Sequence, residues 1–310
     1  MLLSYDRVIL SAIALFSLLL GGCGQRSPSG EVPLRRQVLQ AQRESDAVLR
    51  AKRLIRIGYQ QGKAHDMAGA DETLGIAEKD CRLIDDAADK AVALALLAEA
   101  YAGLGNRSAA ATAIESAAAS ADRETRPENK ARALARVAQA QGAAGNAAAA
   151  AASLQAAEQL TDKVEDVTGR ATAFCAVAAA YHKLDRAQAR DRVLAGAIDF
   201  ANSVEDAKKR SAAIAEVAAK QADLQQRDAA AKTFECAVQA AEKVDAPFFR
   251  AYALGKVAEQ LSHAGFHAKA REVLDRAERA AEKVPEHDMQ TQALQSVRSL
   301  MGKLPKGEGL

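Results

Sequence analysis

Apolar and polar positions recur every 40 residues, without insertion or deletion, from starts at Arg50, Lys90, Lys130, Arg170, Arg210 and Arg250. With the basic residue counted as zero, position four is Leu54, Leu94, Leu134, Phe174, Ile214 and Leu254, and position seven is Ile57, Leu97, Val137, Val177, Val217 and Val257. Position eight is Gly58 and then alanine five times, and position eleven includes Tyr101, Tyr181 and Leu261. Spacings of three and four put these side chains on one stripe of a first helix. A break follows at Gly105-Asn106, Gly145-Asn146 and Gly265, where glycine ends a helix and asparagine caps the next. A second stripe has Leu74, Ile114, Leu154, Leu194, Phe234 and Leu274 at position 24, and alanine at position 27 in every unit: Ala77, Ala117, Ala157, Ala197, Ala237 and Ala277. The invariant small residue predicts a close helix contact that a larger side chain would overpack. The pattern predicts that the second helix runs on to Val164, Val204, Val244 and Val284, and is then ended by acid or proline, as at Glu165-Asp166, Glu205-Asp206 and Pro247.

Each unit therefore reads as an antiparallel helix pair. One pair cannot bury both stripes alone; stacked neighbours bury them jointly, as an all-α solenoid. In order, Leu134, Val137, Ala138, Gly145, Ala150, Leu154 and Ala157 resemble the tetratricopeptide (TPR) repeat over roughly residues 50–302. The resemblance implies a right-handed α-solenoid of about six TPR-like repeats. The family's usual unit is about 34 residues, and its proline near position 32 is replaced by Asp162. A longer second helix would account for both departures; a HEAT-type solenoid is the looser alternative. The units are 50–89, 90–129, 130–169, 170–209, 210–249 and 250–289, within a repeat domain of 34–303. Residues 34–44 read as a capping half-unit, 290–303 as a closing first helix, and 304–310 as a flexible tail.

Composition adds little to this picture. Charged residues are 26% of the chain with a net charge of +2, so no strong electrostatic partner is implied. Aromatics are 4%, with no tryptophan, which argues against stacking platforms for single-stranded nucleic acid.

The N-terminus changes the picture. Residues 1–22 carry an apolar run from Val8 to Leu20, too short for a comfortable membrane span but suited to a signal peptide. Leu20-Gly21-Gly22-Cys23 resembles a bacterial lipobox. The resemblance implies removal of 1–22 and acylation of Cys23, anchoring the protein in a lipid bilayer. Gly24 after the cysteine resembles the outer-membrane default, implying the periplasmic face of the outer membrane in a Gram-negative host. Residues 24–33 form a short polar linker that keeps the repeats near the membrane.

Candidate chemistry is sparse. His263 and His267 have metal-like spacing but straddle the break at Gly265, and read as loop residues. Cys81, Cys175 and Cys236 occupy unrelated repeat positions and read as buried small side chains. No nucleophile–base pairing is visible, and no catalytic, cofactor or metal site is assigned. The basic residue at position zero reads either as a ladder of ion pairs with Glu165, Asp166, Glu205 and Asp206, or as a positive rim; the ladder is favoured. By the TPR resemblance, positions two, five, nine and twelve line the concave face. Arg132, Ala135, Gln139, Gly142, Thr172, Cys175 and Ala179 would then make a smooth middle. The first unit offers Lys52, Ile55 and Tyr59. The sixth offers Tyr252 and Glu259, with Phe248, Phe249 and Phe266 nearby as candidate partner contacts, or as filler between helix pairs. The expectation is a membrane-anchored, non-enzymatic scaffold binding an unidentified protein or peptide in the bacterial cell envelope. The alternatives are a structural spacer or self-assembling array, and a helical accessory domain of an envelope glycan-processing enzyme.

Overall fold

A computed structural model describes residues 33–305. The expected signal peptide, Cys23 and nearly all of the linker lie outside the described residues. Among those residues there are fourteen α-helices and no strand. First helices are α2 (Ala47–Lys63), α4 (Ala87–Gly103), α6 (Pro127–Ala143), α8 (Val167–Lys183), α10 (Ala207–Asp223) and α12 (Pro247–His263). Second helices are α3 (Met67–Arg82), α5 (Arg107–Arg123), α7 (Ala147–Thr161), α9 (Ala187–Ser203), α11 (Arg227–Glu242) and α13 (His267–Ala281). Helix α1 (Leu34–Ala41) packs on α2, and α14 (His287–Lys303) closes the array against α12 and α13. Each first helix packs on the first helix of the next unit, and each second helix is sandwiched between first helices. The result is an all-α solenoid of antiparallel helix pairs.

Burial follows the stripes. The alanine of position 27 is fully buried in all six units. Leu54, Leu97, Leu154, Leu194, Ile214 and Leu274 are among the largest fully buried side chains. A second alanine series, at position three, also lies in the core as Ala93, Ala133, Ala173, Ala213 and Ala253. It lets successive first helices approach closely.

Three boundaries differ from expectation. The second helices end at Thr161, Ser203, Glu242 and Ala281, short of the valines. Val164, Val244 and Val284 still reach the core, from the connecting loops. The acids and prolines read as stops are starts: Asp166 and Asp206 cap α8 and α10 by accepting from the Gly169 and Lys209 amides, and Pro247 is the first residue of α12. Helix α1 stops at Ala41 rather than Glu44. The tail is anchored at its beginning, since Leu304 is buried in the C-terminal core and Arg271 donates to the Pro305 carbonyl at 3.0 Å.

The break within each pair has one geometry. Position 15 has positive φ in every unit: His65 (66°), Gly105 (84°), Gly145 (85°), Asp185 (54°), Gln225 (63°) and Gly265 (77°). Only three are glycine, so the repeat imposes the left-handed turn on side chains that do not favour it.

Candidate functional site

Phe248, Phe249 and Tyr252 come together at the start of α12, beside α10 and α14. The Phe248 and Phe249 rings meet edge to face with centroids 5.5 Å apart. Phe248 is half-buried and packs into the C-terminal core, whereas Phe249 and Tyr252 are 48% and 52% exposed. They border a groove of about 580 Å³ between α12 and α14. Lys208 from α10 lies 5.1 Å from the Phe249 ring centroid, and Lys256 lies 5.9 Å from that of Tyr252. Lys256 also donates to Glu259 at 2.9 Å, and that hydrogen bond first of all holds the Glu259 carboxyl below its ordinary range. Lys208 and Lys303 also line the groove, and Lys303 acts weakly on the same Glu259 carboxylate. The arrangement offers two exposed rings, a floor that includes Ala251 and Gly255, and net positive charge.

Phe266 does not belong to this group. It sits at the far end of α12, where the chain turns into α13, stacked edge to face on Phe234 at 5.7 Å and covered by the Arg227 guanidinium at 4.3 Å. It is partly buried core filler.

The expected concave lining holds only in part. Position five is buried throughout, as Ile55, Ala95, Ala135, Cys175 and Ala215. It packs between neighbouring first helices, which the alanines bring close together. Gln139 is buried as well. The middle is not bland, because ionic side chains cross it. Arg132 pairs with Asp89 at 3.2 Å, and Glu99 accepts from both Arg136 at 3.2 Å and Lys183 at 2.5 Å. Glu99, Arg136 and Lys183 escaped sequence reasoning because they sit at positions nine, six and thirteen of three different units.

The residue at position zero serves the backbone. Lys90 donates to the Arg82 carbonyl at 2.8 Å, and Lys130 to that of Asp122 at 3.0 Å. Arg210 donates to Val204 at 2.7 Å and to Glu205 at 3.3 Å, and Arg250 to Val244 at 2.7 Å and Asp245 at 2.9 Å. These carbonyls lie in the last turn of the preceding second helix or in the loop just after it. Arg170 instead pairs with Asp162 at 2.7 Å and lies 4.4 Å from the Phe200 ring centroid. The expected ladder to Glu165, Asp166, Glu205 and Asp206 does not form. Ion pairs between second helices do: Glu158–Arg192, Glu235–Lys269 and Glu242–Arg276, at 2.7–3.0 Å.

A concavity of about 950 Å³ lies between α7 and α9. Its wall carries Tyr181, which donates to Glu158 at 2.8 Å. Burial first, then this carboxylate, pushes the Tyr181 hydroxyl up to about 12. Cys81 and Cys175 are buried thiols, and burial pushes Cys81 up to about 12, which suits packing rather than nucleophilic chemistry. Cys236, expected to be buried, is exposed on α11. His263 ends α12 and His267 begins α13, so they do straddle the turn. Among the described residues no cluster of His, Cys, Asp or Glu is placed to hold a metal ion, and no helix is long and apolar enough to cross a membrane.

The chain is an all-α solenoid of repeated antiparallel helix pairs. No family model matches it, and no curated protein matches it significantly. Among solved structures it is similar to Ton1535 from Thermococcus onnurineus NA1, at 16% identity and a TM-score of 0.40, over 85% of this chain and 94% of that one. It is also similar to nearly identical TPR-like repeats described as those of a Podosopora anserina kinesin light chain, at 18% identity and a TM-score of 0.34, over 64% of this chain and 98% of that one. BtubC from P. vanneervenii aligns at 16% identity and a TM-score of 0.33, over 90% of this chain and 96% of that one. The repeat architecture stands on this chain's own helices, and no property of these proteins is carried over.

Proposed function

We propose that this protein is a lipid-anchored, non-enzymatic scaffold of the bacterial cell envelope that binds a protein or peptide in the groove between α12 and α14. The exposure of Phe249 and Tyr252 carries this reading: two large rings stand half free of the core, with the Lys208 and Lys256 ammonium groups over their faces. Aromatic side chains that the fold does not need are preferred interface anchors. The partner that fits presents apolar side chains flanked by acid. The anchor is the acylated Cys23, on the strength of the Leu20-Gly21-Gly22-Cys23 motif. A Gram-negative host would place the repeats at the periplasmic face of the outer membrane.

Two experiments test the two halves. Labelling with a palmitate analogue should mark the wild-type chain and leave Cys23→Ser unmarked; equal labelling refutes the anchor. Recovery from crosslinked envelopes should yield a stoichiometric partner with the wild type. With Phe249→Ala/Tyr252→Ala, binding should weaken by about 2 kcal/mol or more, with the melting temperature nearly unchanged. Phe248→Ala is the control, because its ring packs into the core and its loss should lower the melting temperature. A double variant that keeps both its fold and its partner removes the groove as the site.

A further inference from the structure

The net charge of +2 conceals a strong asymmetry. Residues 34–63, spanning α1 and α2, hold eight basic and two acidic residues. Arg50 is used on backbone carbonyls and Asp80, and Arg53 pairs with Glu44 at 3.1 Å. Arg35, Arg36, Arg43, Lys52, Arg56 and Lys63 have no acidic partner among the described residues. Helix α1 turns Leu34, Val38 and Ala41 inward, leaving Arg35, Arg36 and Leu39 on its outer face, with Leu39 60% exposed, and Arg43 is exposed in the turn that follows. On α2 the exposed stripe is Leu49, Arg53, Arg56 and Tyr59.

We propose that these two helices form a basic, apolar-studded surface that lies on an anionic lipid bilayer. Solenoid ends need polar caps, but polarity does not demand one sign. The other terminal helix, α14, shows what a merely solubilising end looks like, with Asp288, Arg298, Lys303 and many uncharged polar residues. Position three makes the same point. It is buried alanine in the second to sixth units, where a first helix precedes, and exposed Arg53 in the first unit, where none does. Large apolar side chains are also exposed unevenly: Leu39, Leu49, Tyr59, Met67 and Leu83 at this end, Phe249, Tyr252 and Met289 at the other, and none between. Four to eight basic residues beside a membrane anchor, with apolar side chains among them, match an anionic headgroup layer. The choice of a bilayer over another polyanion rests on the lipid-anchored reading, since Cys23 precedes α1 by only a short linker. A basic surface there would act as the second attachment and fix how the array stands on the membrane.

The test uses the unacylated chain from Gly24 onward, whose repeats form a compact unit of their own. Its outcome does not depend on whether Cys23 is acylated, which the labelling experiment decides separately. The chain should sediment with vesicles of phosphatidylglycerol and phosphatidylcholine at low salt, release at high salt, and ignore pure phosphatidylcholine. Arg35→Glu/Arg36→Glu/Arg56→Glu should reduce partitioning about tenfold or more. Lys243→Glu/Arg279→Glu/Lys283→Glu, which changes net charge equally at exposed sites elsewhere, should leave it nearly intact. Circular dichroism should be the same for all three proteins. No sedimentation, equal binding to uncharged vesicles, or equal loss in the two triple variants would overturn the proposal. So would binding to polyglutamate without binding to vesicles, which would assign the surface to an acidic protein.

Discussion

At the scale of single residues, the left-handed position that ends each first helix separates what the repeat requires from what each unit supplies. Gly105, Gly145 and Gly265 meet the requirement without strain, whereas His65, Asp185 and Gln225 adopt the same geometry against the preference of their side chains. Gln225→Gly should therefore stabilise the array by about 0.5–1 kcal/mol, and Gly145→Ala should destabilise it by about 1 kcal/mol, read as shifts in the urea midpoint. Equal midpoints for all three proteins would mean that the turn relaxes freely. Position 27 makes the opposite demand. Ala157 has no exposed surface, so Ala157→Leu should cost roughly 1–3 kcal/mol by overpacking. A leucine tolerated there without loss would remove the close contact from the account of the core. Both features were legible in the sequence, the alanine in full and the turn in the three units that use glycine. The other three turns were hidden, because a histidine, an aspartate or a glutamine gives no local sign of positive φ.

At the scale of helices, the period and the apolar stripes identified every helix pair, and the errors lay at the ends. Acid followed by a helical stripe is an N-cap, and acid after one reads as a stop; between two adjacent helices the residues alone do not separate these roles. Asp166 shows which role prevails, since its carboxylate accepts from the Gly169 amide at 2.6 Å. Asp166→Ala should cost about 1 kcal/mol, with hydrogen exchange rising first in the opening turn of α8. Unchanged protection of that turn would show that packing alone holds the helix start. The basic residue at position zero was visible six times, but its partners were not, because they are mostly backbone carbonyls, joined by Asp80 and Asp162 near the ends of second helices. Phe266 was grouped with Phe248 through sequence proximity alone. The seventeen residues of α12 separate them by about 25 Å at 1.5 Å per residue.

At the scale of the molecule, a solenoid is expected to couple only neighbouring units, and Glu99 departs from this. Its carboxylate, on the second unit, receives Arg136 from the third and Lys183 from the fourth. The Lys183 contact spans 84 residues and skips a unit. The long Lys183 side chain makes this reach past α6, and the buried alanines Ala93, Ala95, Ala133, Ala135 and Ala173 keep the successive first helices close. Glu99 is mostly buried while Lys183 is about half exposed, so the second pair is screened by solvent and contributes less than the first. Glu99→Ala should lower stability by about 1 kcal/mol or more, through loss of charge-assisted hydrogen bonds near the core. A purely pairwise solenoid and one tied across units respond differently to it. With pairwise coupling, exchange protection falls in α4 and α6 and stays unchanged in α8. With the tie, α8 loses protection as well, and Lys183→Ala alone reproduces the α8 part of the effect. The fifth and sixth units, which Glu99 does not touch, should keep their protection either way. Loss confined to α4 and α6 would reduce the Lys183 contact to a surface pair without mechanical consequence.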